Sequence, residues 1–501
     1  MRAILLALTA SLTCATLRAA DPGAASFTAF DASHYTLVTD VPVLARSLHG
    51  RLTKFERVLS KMLAREMEPT GTPTWFILVN GALWRRYLQP TDGIVGAFLP
   101  GRFSNYLLVN ADAGAARLPH DVQHEFTHLF LRTQFRGEYP LWFDEGMAEL
   151  MEHMTLAKGK ARFRIPARHP STPWIPFSRL VNLERASPEY LSLGTTEAVH
   201  LQSWALLHMG FISEPDFGAG ILQYIEEINH LVPTRDAVRN SFGTTVDGVD
   251  AKLREYLARR KYPTAELAYD EPAESPLGTG RLLDRGEANA WLASVLLDTG
   301  INPRRVRELI DVAAAAAPGS PAVGVLELRQ AVRTRDDAAL ERHYLSLMGS
   351  HSQPPALNDA DLARGMGLAL FERVRDEAPA GMLSAEKRAE YSRHALALLD
   401  RALTAQPGDG EATWAYSLLA AQLGEYLDTA LSRLAFTRTR IRENCDLAMA
   451  MALVHESRGE FGEMVPLLEE AALYADTAQK RRLASTRIDE IRRRVSESAP
   501  L

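Results

Sequence analysis

The stretch His124-Glu125-Phe126-Thr127-His128 carries the clearest chemistry in the chain. On an α-helix, residues i and i+4 stand one above the other, so His124 and His128 present two imidazole nitrogens to a single metal ion. Zinc suits such a pair, and Glu125 beside it is placed to act as general base on a water. Two histidines leave a catalytic zinc one protein ligand short, since such sites usually hold three and keep a fourth position open. Carboxylates for the missing place lie in Trp142-Phe143-Asp144-Glu145-Gly146-Met147-Ala148-Glu149, on the next helix, with Glu145 17 residues past His128. Glu125 and His128 fall among Phe126, Leu129, Phe130 and Leu131, where burying an ionisable group is costly without a partner or a metal. Asp144 reads as a solvated acid pointing elsewhere on its helix. His120, at the expected helix start, reads as a surface histidine.

HEFTH followed at this distance by WFDEGMAE resembles the gluzincin metallopeptidases of clan MA. The resemblance implies one Zn²⁺ per chain held by His124, His128 and Glu145, with Glu125 as catalytic base. It also implies that Glu149 orients a ligand histidine, and that Gly146 and Ala148 are small so that the two helices can close around the metal. These enzymes stabilise the oxyanion with a Tyr or His on a downstream helix; Val199 to Ala205 resembles that helix, which would give the role to His200, with Tyr190 and His208 as substitutes. The family often has tyrosine where His200 stands. Gly96, Ala97 and Phe98, with the strand 105–110, resemble the edge strand on which gluzincins lay an extended peptide. Aminopeptidases of the clan follow Gly-Ala there with an acid that holds a free amine; here Phe98-Leu99-Pro100 follows, which favours an endopeptidase.

The surrounding elements are expected to be mixed. His34 to Thr39, Thr74 to Asn80 and Asn105 to Asn110 read as strands. Leu44, Leu48, Leu52, Phe55, Leu59 and Leu63 recur at helical spacing, and 119–154 is helical in two segments with a break at 137–140. Further helices are expected near 195–212, 217–231 and 246–260. Pro, Gly and acidic residues dominate 268–280, which reads as a linker. Beyond it the chain is almost wholly helical. Gly424-Glu425-Tyr426 with Ala430, and Gly459-Glu460-Phe461 with Met464, repeat at a spacing of 35 residues, and Trp414, Ala395, Leu399, Ala402 and Pro407 extend the pattern. These offsets resemble tetratricopeptide repeats over about 391–474. The expected fold class is an α+β zincin-like metallopeptidase domain followed by an all-α helical repeat domain. The divisions are 1–20 signal peptide, 21–265 peptidase-like domain, 266–280 linker and 281–501 repeats.

Met1-Arg2 and the apolar run 3–17 read as a secretory signal, too short to span a bilayer, so the chain is expected to be exported to a periplasm or the outside of a bacterial cell. With signal peptide and helical tail, it is similar to a group of secreted bacterial proteins in that clan. Among 501 residues, 56 Lys and Arg stand against 62 Asp and Glu, a net charge of −6, which gives no pull toward nucleic acid. The basic end 480–494 interleaves Leu483, Ile488 and Ile491 at helical spacing and reads as the solvated face of a capping helix. Two cysteines, Cys14 and Cys445, supply no disulfide framework. The expected partners are a peptide or protein substrate and a protein held by the repeats. The alternative is an inactive metallopeptidase-like scaffold that binds a partner through those repeats.

Overall fold

In the computed structural model, residues 26–67, 73–89, 94–101, 104–114, 117–135, 139–166, 172–185, 187–230, 232–271, 277–348, 359–375, 383–441, 444–475 and 477–497 are described. The expected signal peptide, 1–20, lies outside them. Among the described residues no helix is long and apolar enough to cross a membrane.

The first part interleaves strands and helices: β1 (Phe27–Asp31), β2 (Thr36–Thr39), α1 (Pro42–Leu63), β3 (Thr74–Val79), the single turn α2 (Gly81–Leu83), β4 (Gly96–Pro100) and β5 (Asn105–Asn110). Then come α3 (Leu118–Gln134), α4 (Leu141–Glu152), β6 (Met154–Ala157) and β7 (Lys160–Phe163). The short α5 (Phe177–Leu180) and α6 (Pro188–Leu191) precede α7 (Leu193–His208), α8 (Pro215–Asn229), α9 (Thr234–Phe242), α10 (Val246–Ala258) and β8 (Glu266–Ala268). A six-stranded sheet runs β4-β5-β3-β2-β1-β9, where β9 is Arg281–Leu283. Strands β2, β3 and β5 are parallel, while β4 pairs antiparallel with β5, β1 with β2, and β9 with β1.

Because side chains alternate across a strand, one run such as Thr74–Val79 serves two cores. Leu37, Phe76, Leu78, Leu107 and Val109 face α1 and α3, where Leu52, Phe55, Phe126 and Phe130 are buried against them. Val38, Ile77, Val79, Tyr106 and Leu108 face the other way. That outer face is covered by α11 (Arg285–Thr299), α12 (Val306–Ala316) and α13 (Pro321–Thr334), through Leu292, Leu296, Leu309, Ile310 and Leu326.

The expected linker 266–280 contains regular structure at its start and is followed by a strand of the main sheet. It opens with β8, which completes a small antiparallel sheet with β7 and β6, and β9 after it belongs to the main sheet. The helices that follow share their core with that sheet instead of standing apart. They continue as α14 (Asp337–Met348), α15 (Ala360–Arg375), α16 (Ala385–Ala405), α17 (Gly410–Leu423), α18 (Leu427–Arg440), α19 (Cys445–Ser457), α20 (Phe461–Leu473) and α21 (Ala478–Glu497). Gly424 ends α17 and Gly459 follows α19, both in left-handed backbone (φ 67° and 75°), so the 35-residue spacing marks equivalent corners of successive helix pairs. In α21, Ile488 and Ile491 are buried as expected, but Leu483 is 57% exposed. Arg481 is buried, and its guanidinium donates to the Ile228 carbonyl (3.3 Å) and to Asn229 Oδ1 (3.1 Å) at the end of α8. The basic terminal helix thus reaches back to the first part of the chain.

Candidate metal centre

Helices α3 and α4 follow one another across a link of only six residues, and Pro140 starts α4 in extended backbone. This short return sets the histidines of α3 against the carboxylates of α4. Helix α7 closes the third side. Gly146 allows that approach, since a Cβ there would stand 2.6 Å from the Ser203 carbonyl and from Leu207 Cδ2. The small residue expected to let α3 meet α4 instead lets α7 meet α4; Ala148 is fully buried.

Glu145 stands at the centre, 1% exposed. Its Oε2 lies 3.6 Å from His124 Nε2, 3.8 Å from His128 Nε2 and 3.6 Å from His200 Nε2. Its Oε1 is occupied: Tyr190 OH donates to it at 2.8 Å, and the Arg185 guanidinium lies at 3.1 Å. Each imidazole is backed through its other nitrogen. His124 Nδ1 donates to Glu152 Oε2 (3.0 Å), His128 Nδ1 to Asp144 Oδ1 (2.7 Å) and His200 Nδ1 to Glu149 Oε1 (2.7 Å). Such pairing fixes the tautomer that leaves the Nε2 lone pair free and turned inward. Arg185 also bonds to Asp144, tying two of the carboxylates together.

The donor set fits a divalent ion. One atom each from His124, His128 and Glu145 lie within 4.8 Å of one another. Ligand atoms around a tetrahedral zinc with bonds of ~2.1 Å sit about 3.4 Å apart, close to the separations seen here. His200 Nε2 is buried without a hydrogen-bond partner, an orphan that a bound group would satisfy.

Burial disfavours the charge on Glu145, yet His128, His124, Arg185 and His200 together hold its carboxyl well below the usual range. The Asp144 and Glu152 carboxyls are likewise lowered against their burial, Asp144 by His128 and Arg185 and Glu152 by His124. Burial also opposes charge on His124 and His200, but the surrounding glutamates raise both imidazoles, His124 well above its ordinary value. Protons and a metal ion therefore compete for this pocket. Burial raises the Tyr190 phenol, so it stays a hydrogen-bond donor to Glu145.

Glu125 lies half-buried beside the cluster, and its carboxylate forms no hydrogen bond with another described residue. Gly96 of β4 covers it; a Cβ there would stand 3.0 Å from Glu125 Cγ. Phe98, the next residue on the same strand face, stacks on His128 with ring centroids 6.3 Å apart. Ala97 between them turns to the opposite face. Strand β4 is the sheet edge, whereas the strand 105–110 is internal, paired on both sides.

The expected residues His124, Glu125, His128, Glu145, Glu149, His200 and Tyr190 thus come together, with differences. Asp144 is not a solvated acid: it is 6% exposed and holds His128. Glu149 backs His200 rather than His124 or His128. His208 is withdrawn from the site; it is fully buried two turns beyond His200 and its Nδ1 shares a 2.6 Å hydrogen bond with Tyr256 OH. His120 is half-buried rather than on the surface, and its Nδ1 donates to the Glu152 carbonyl (2.6 Å), outside the cluster. Sequence reasoning passed over Glu152 and Arg185. Glu152 carried a signal, since it lies two turns past Glu145 on the same face; Arg185 comes from an irregular segment and carried none.

No family model, curated protein or solved structure matches this chain.

Proposed function

We propose that the chain is a zinc-dependent peptidase of the gluzincin type with a zincin-like first part and tetratricopeptide-like helices, an exported endopeptidase that hydrolyses peptide bonds outside the cytoplasm. The observation that carries this reading is the arrangement around Glu145: one oxygen faces three inward imidazole nitrogens while the other is held by Tyr190 and Arg185. His124, His128 and Glu145 would hold the ion. When bound, zinc supplies Lewis-acid polarisation of the scissile carbonyl and lowers the pKa of a water.

The chain's own residues supply the rest. Glu125, with no hydrogen-bonded partner among the described residues, takes a proton from the attacking water at its carboxylate and returns it to the leaving amine. His200 carries the role of oxyanion donor. Its Nδ1–H is anchored on Glu149, which turns Nε2 toward the cluster, where the protonated ring would donate Nε2–H to the oxyanion. Tyr190 is spent on Glu145 and acts as a positioning residue. The outer edge of β4, with no strand paired to it among the described residues, offers backbone groups to an extended peptide, beginning at Gly96 over Glu125.

A peptide-library cleavage screen on the zinc-loaded chain, with Glu125→Gln in parallel, tests the proposal. Cleavage by the native chain and not by the variant is expected; equal products from both, or none from a zinc-loaded native chain, would overturn it.

A further inference from the structure

A cleft of about 1270 Å³ lies between the outer face of the sheet and the helices α11, α13, α15 and α17. It is on the side away from the metal cluster: Trp75, Leu99 and Tyr106, which line it, pack toward α11 and α12, whereas Phe76 and Leu107 turn to α1 and α3. Its walls carry four guanidinium groups and five carboxylates, so the lining has almost no net charge.

Most of these groups hold one another in place. Arg329 bonds to Asp298, which also accepts from Tyr106 OH at 2.7 Å, and Arg364 bonds to Asp409 and Glu411. Gln406 Nε2 donates to Asp361 at 3.1 Å. Glu372 makes no hydrogen bond with another described residue; Arg329 and Arg333 favour its charge while Asp298 and Glu411 oppose it. A ligand of one charge would therefore meet like charges beside opposite ones. A hydroxyl group both donates and accepts, so a carboxylate on one side and a guanidinium on the other satisfy it together. Because the ion pairs fix these side chains beforehand, little ordering remains to be done on binding.

The rest of the wall is aromatic. Trp75 from β3 and Trp291 from α11 both reach the cleft, partly exposed, with their rings tilted at 60° and 6.0 Å apart. Neither indole N–H has a hydrogen-bonded partner among the described residues. Each indole thus offers an apolar face and a polar edge. A sugar ring has the matching form, with C–H groups over its faces and hydroxyls around its rim. A purely apolar ligand would use the indole faces but leave the polar walls desolvated and unpaired.

We propose that this cleft binds an uncharged oligosaccharide, its ring faces resting on Trp75 and Trp291 and its hydroxyls bridging the carboxylate and guanidinium groups of the walls. The inference goes beyond the peptidase reading and does not depend on it. It gives the helices after β9 a ligand of their own, on the far side of the sheet from the metal cluster.

Isothermal titration of the native chain with cellotetraose, maltotetraose and chitotetraose, followed in parallel by indole fluorescence, tests the site. At least one of the three is expected to bind with a Kd of about 0.1 mM or tighter and to shift the fluorescence. Trp291→Ala, and separately Arg333→Gln with Glu372→Gln, should each weaken that saccharide by about tenfold. The Arg333 and Glu372 side chains are exposed, so the second variant should melt with the parent. Twenty-residue unstructured peptides rich in Glu, in Lys, or in Ser and Gly serve as competitors and should not displace the saccharide. Binding of none of the three saccharides, an unchanged affinity in the Arg333→Gln, Glu372→Gln chain, or displacement by any of the peptides would overturn the proposal.

Discussion

At the scale of the residue, the centre is defined by how the two oxygens of Glu145 are divided. Tyr190 and Arg185 hold Oε1, so Oε2 is left facing the three imidazoles. Replacing Glu125 by Gln removes the proposed base but none of the proposed ligands; zinc content should be unchanged while peptide cleavage falls by about 10²–10⁴. Asp144→Asn and Glu152→Gln leave the ligands in place but loosen the imidazoles, and should weaken zinc about 10–100-fold in a competition titration with a chromophoric chelator. Unchanged affinity in both would show that the imidazoles need no backing. That His124 and His128 share one face was legible in the sequence, because helical spacing puts them there whatever surrounds them. Asp144 was not: adjacent residues on a helix point about 100° apart, and only the placement of α3 against α4 turns both Asp144 and Glu145 toward it.

At the scale of the element, α4 is the axis, held between α3 and α7. A methyl group on Gly146 has the Ser203 backbone carbonyl in its way as well as the Leu207 side chain. Gly146→Ala should therefore lower stability by about 2–3 kcal/mol in a denaturant titration and move His200 away from Glu145. Retention of full stability would mean that α7 lies further off than described. Helix α7 also carries a pH-dependent term at its end, because burial pushes the His208 imidazole down to about 4. The unfolded histidine, near 6.5, takes up its proton first, so stability is lost as pH falls from about 6.5 to about 4 and levels off below, by about 3 kcal/mol in all. Melting curves of His208→Gln should lose this slope relative to the native chain; parallel curves for the two would contradict it. The main helices and the apolar strands β3 and β5 were legible from periodicity. β8 and β9 were not, since three residues are too few to display an alternation and they sit in a stretch whose Pro, Gly and acids resemble a linker.

At the scale of the whole molecule, the sheet has two covered faces, and the second covering comes from helices that the sequence assigns to a separate domain. The apolar outer face of β2, β3 and β5 is what composition alone conceals: it is visible only once Val38, Ile77, Val79 and Leu108 are known to face α11 and α12. A chain of residues 21–265, cut at the boundary the sequence suggests, would leave that face in water. It should aggregate or bind a hydrophobic dye strongly, whereas residues 21–501 should do neither. A monomeric, cooperatively melting 21–265 fragment would refute the shared core. Removing the helices from β9 onward should thus disturb the first part directly, not merely take away a partner-binding arm.

The most direct test of the central claim is zinc stoichiometry by plasma mass spectrometry, with X-ray absorption at the zinc edge, on residues 21–501 as the native chain and as Glu145→Ala. The account predicts about one zinc per native chain, with imidazole nitrogen and carboxylate oxygen as ligands, and its loss or marked weakening in the variant. A folded native chain that takes up no zinc after reconstitution, or a Glu145→Ala chain that holds it as firmly as the native, would contradict it.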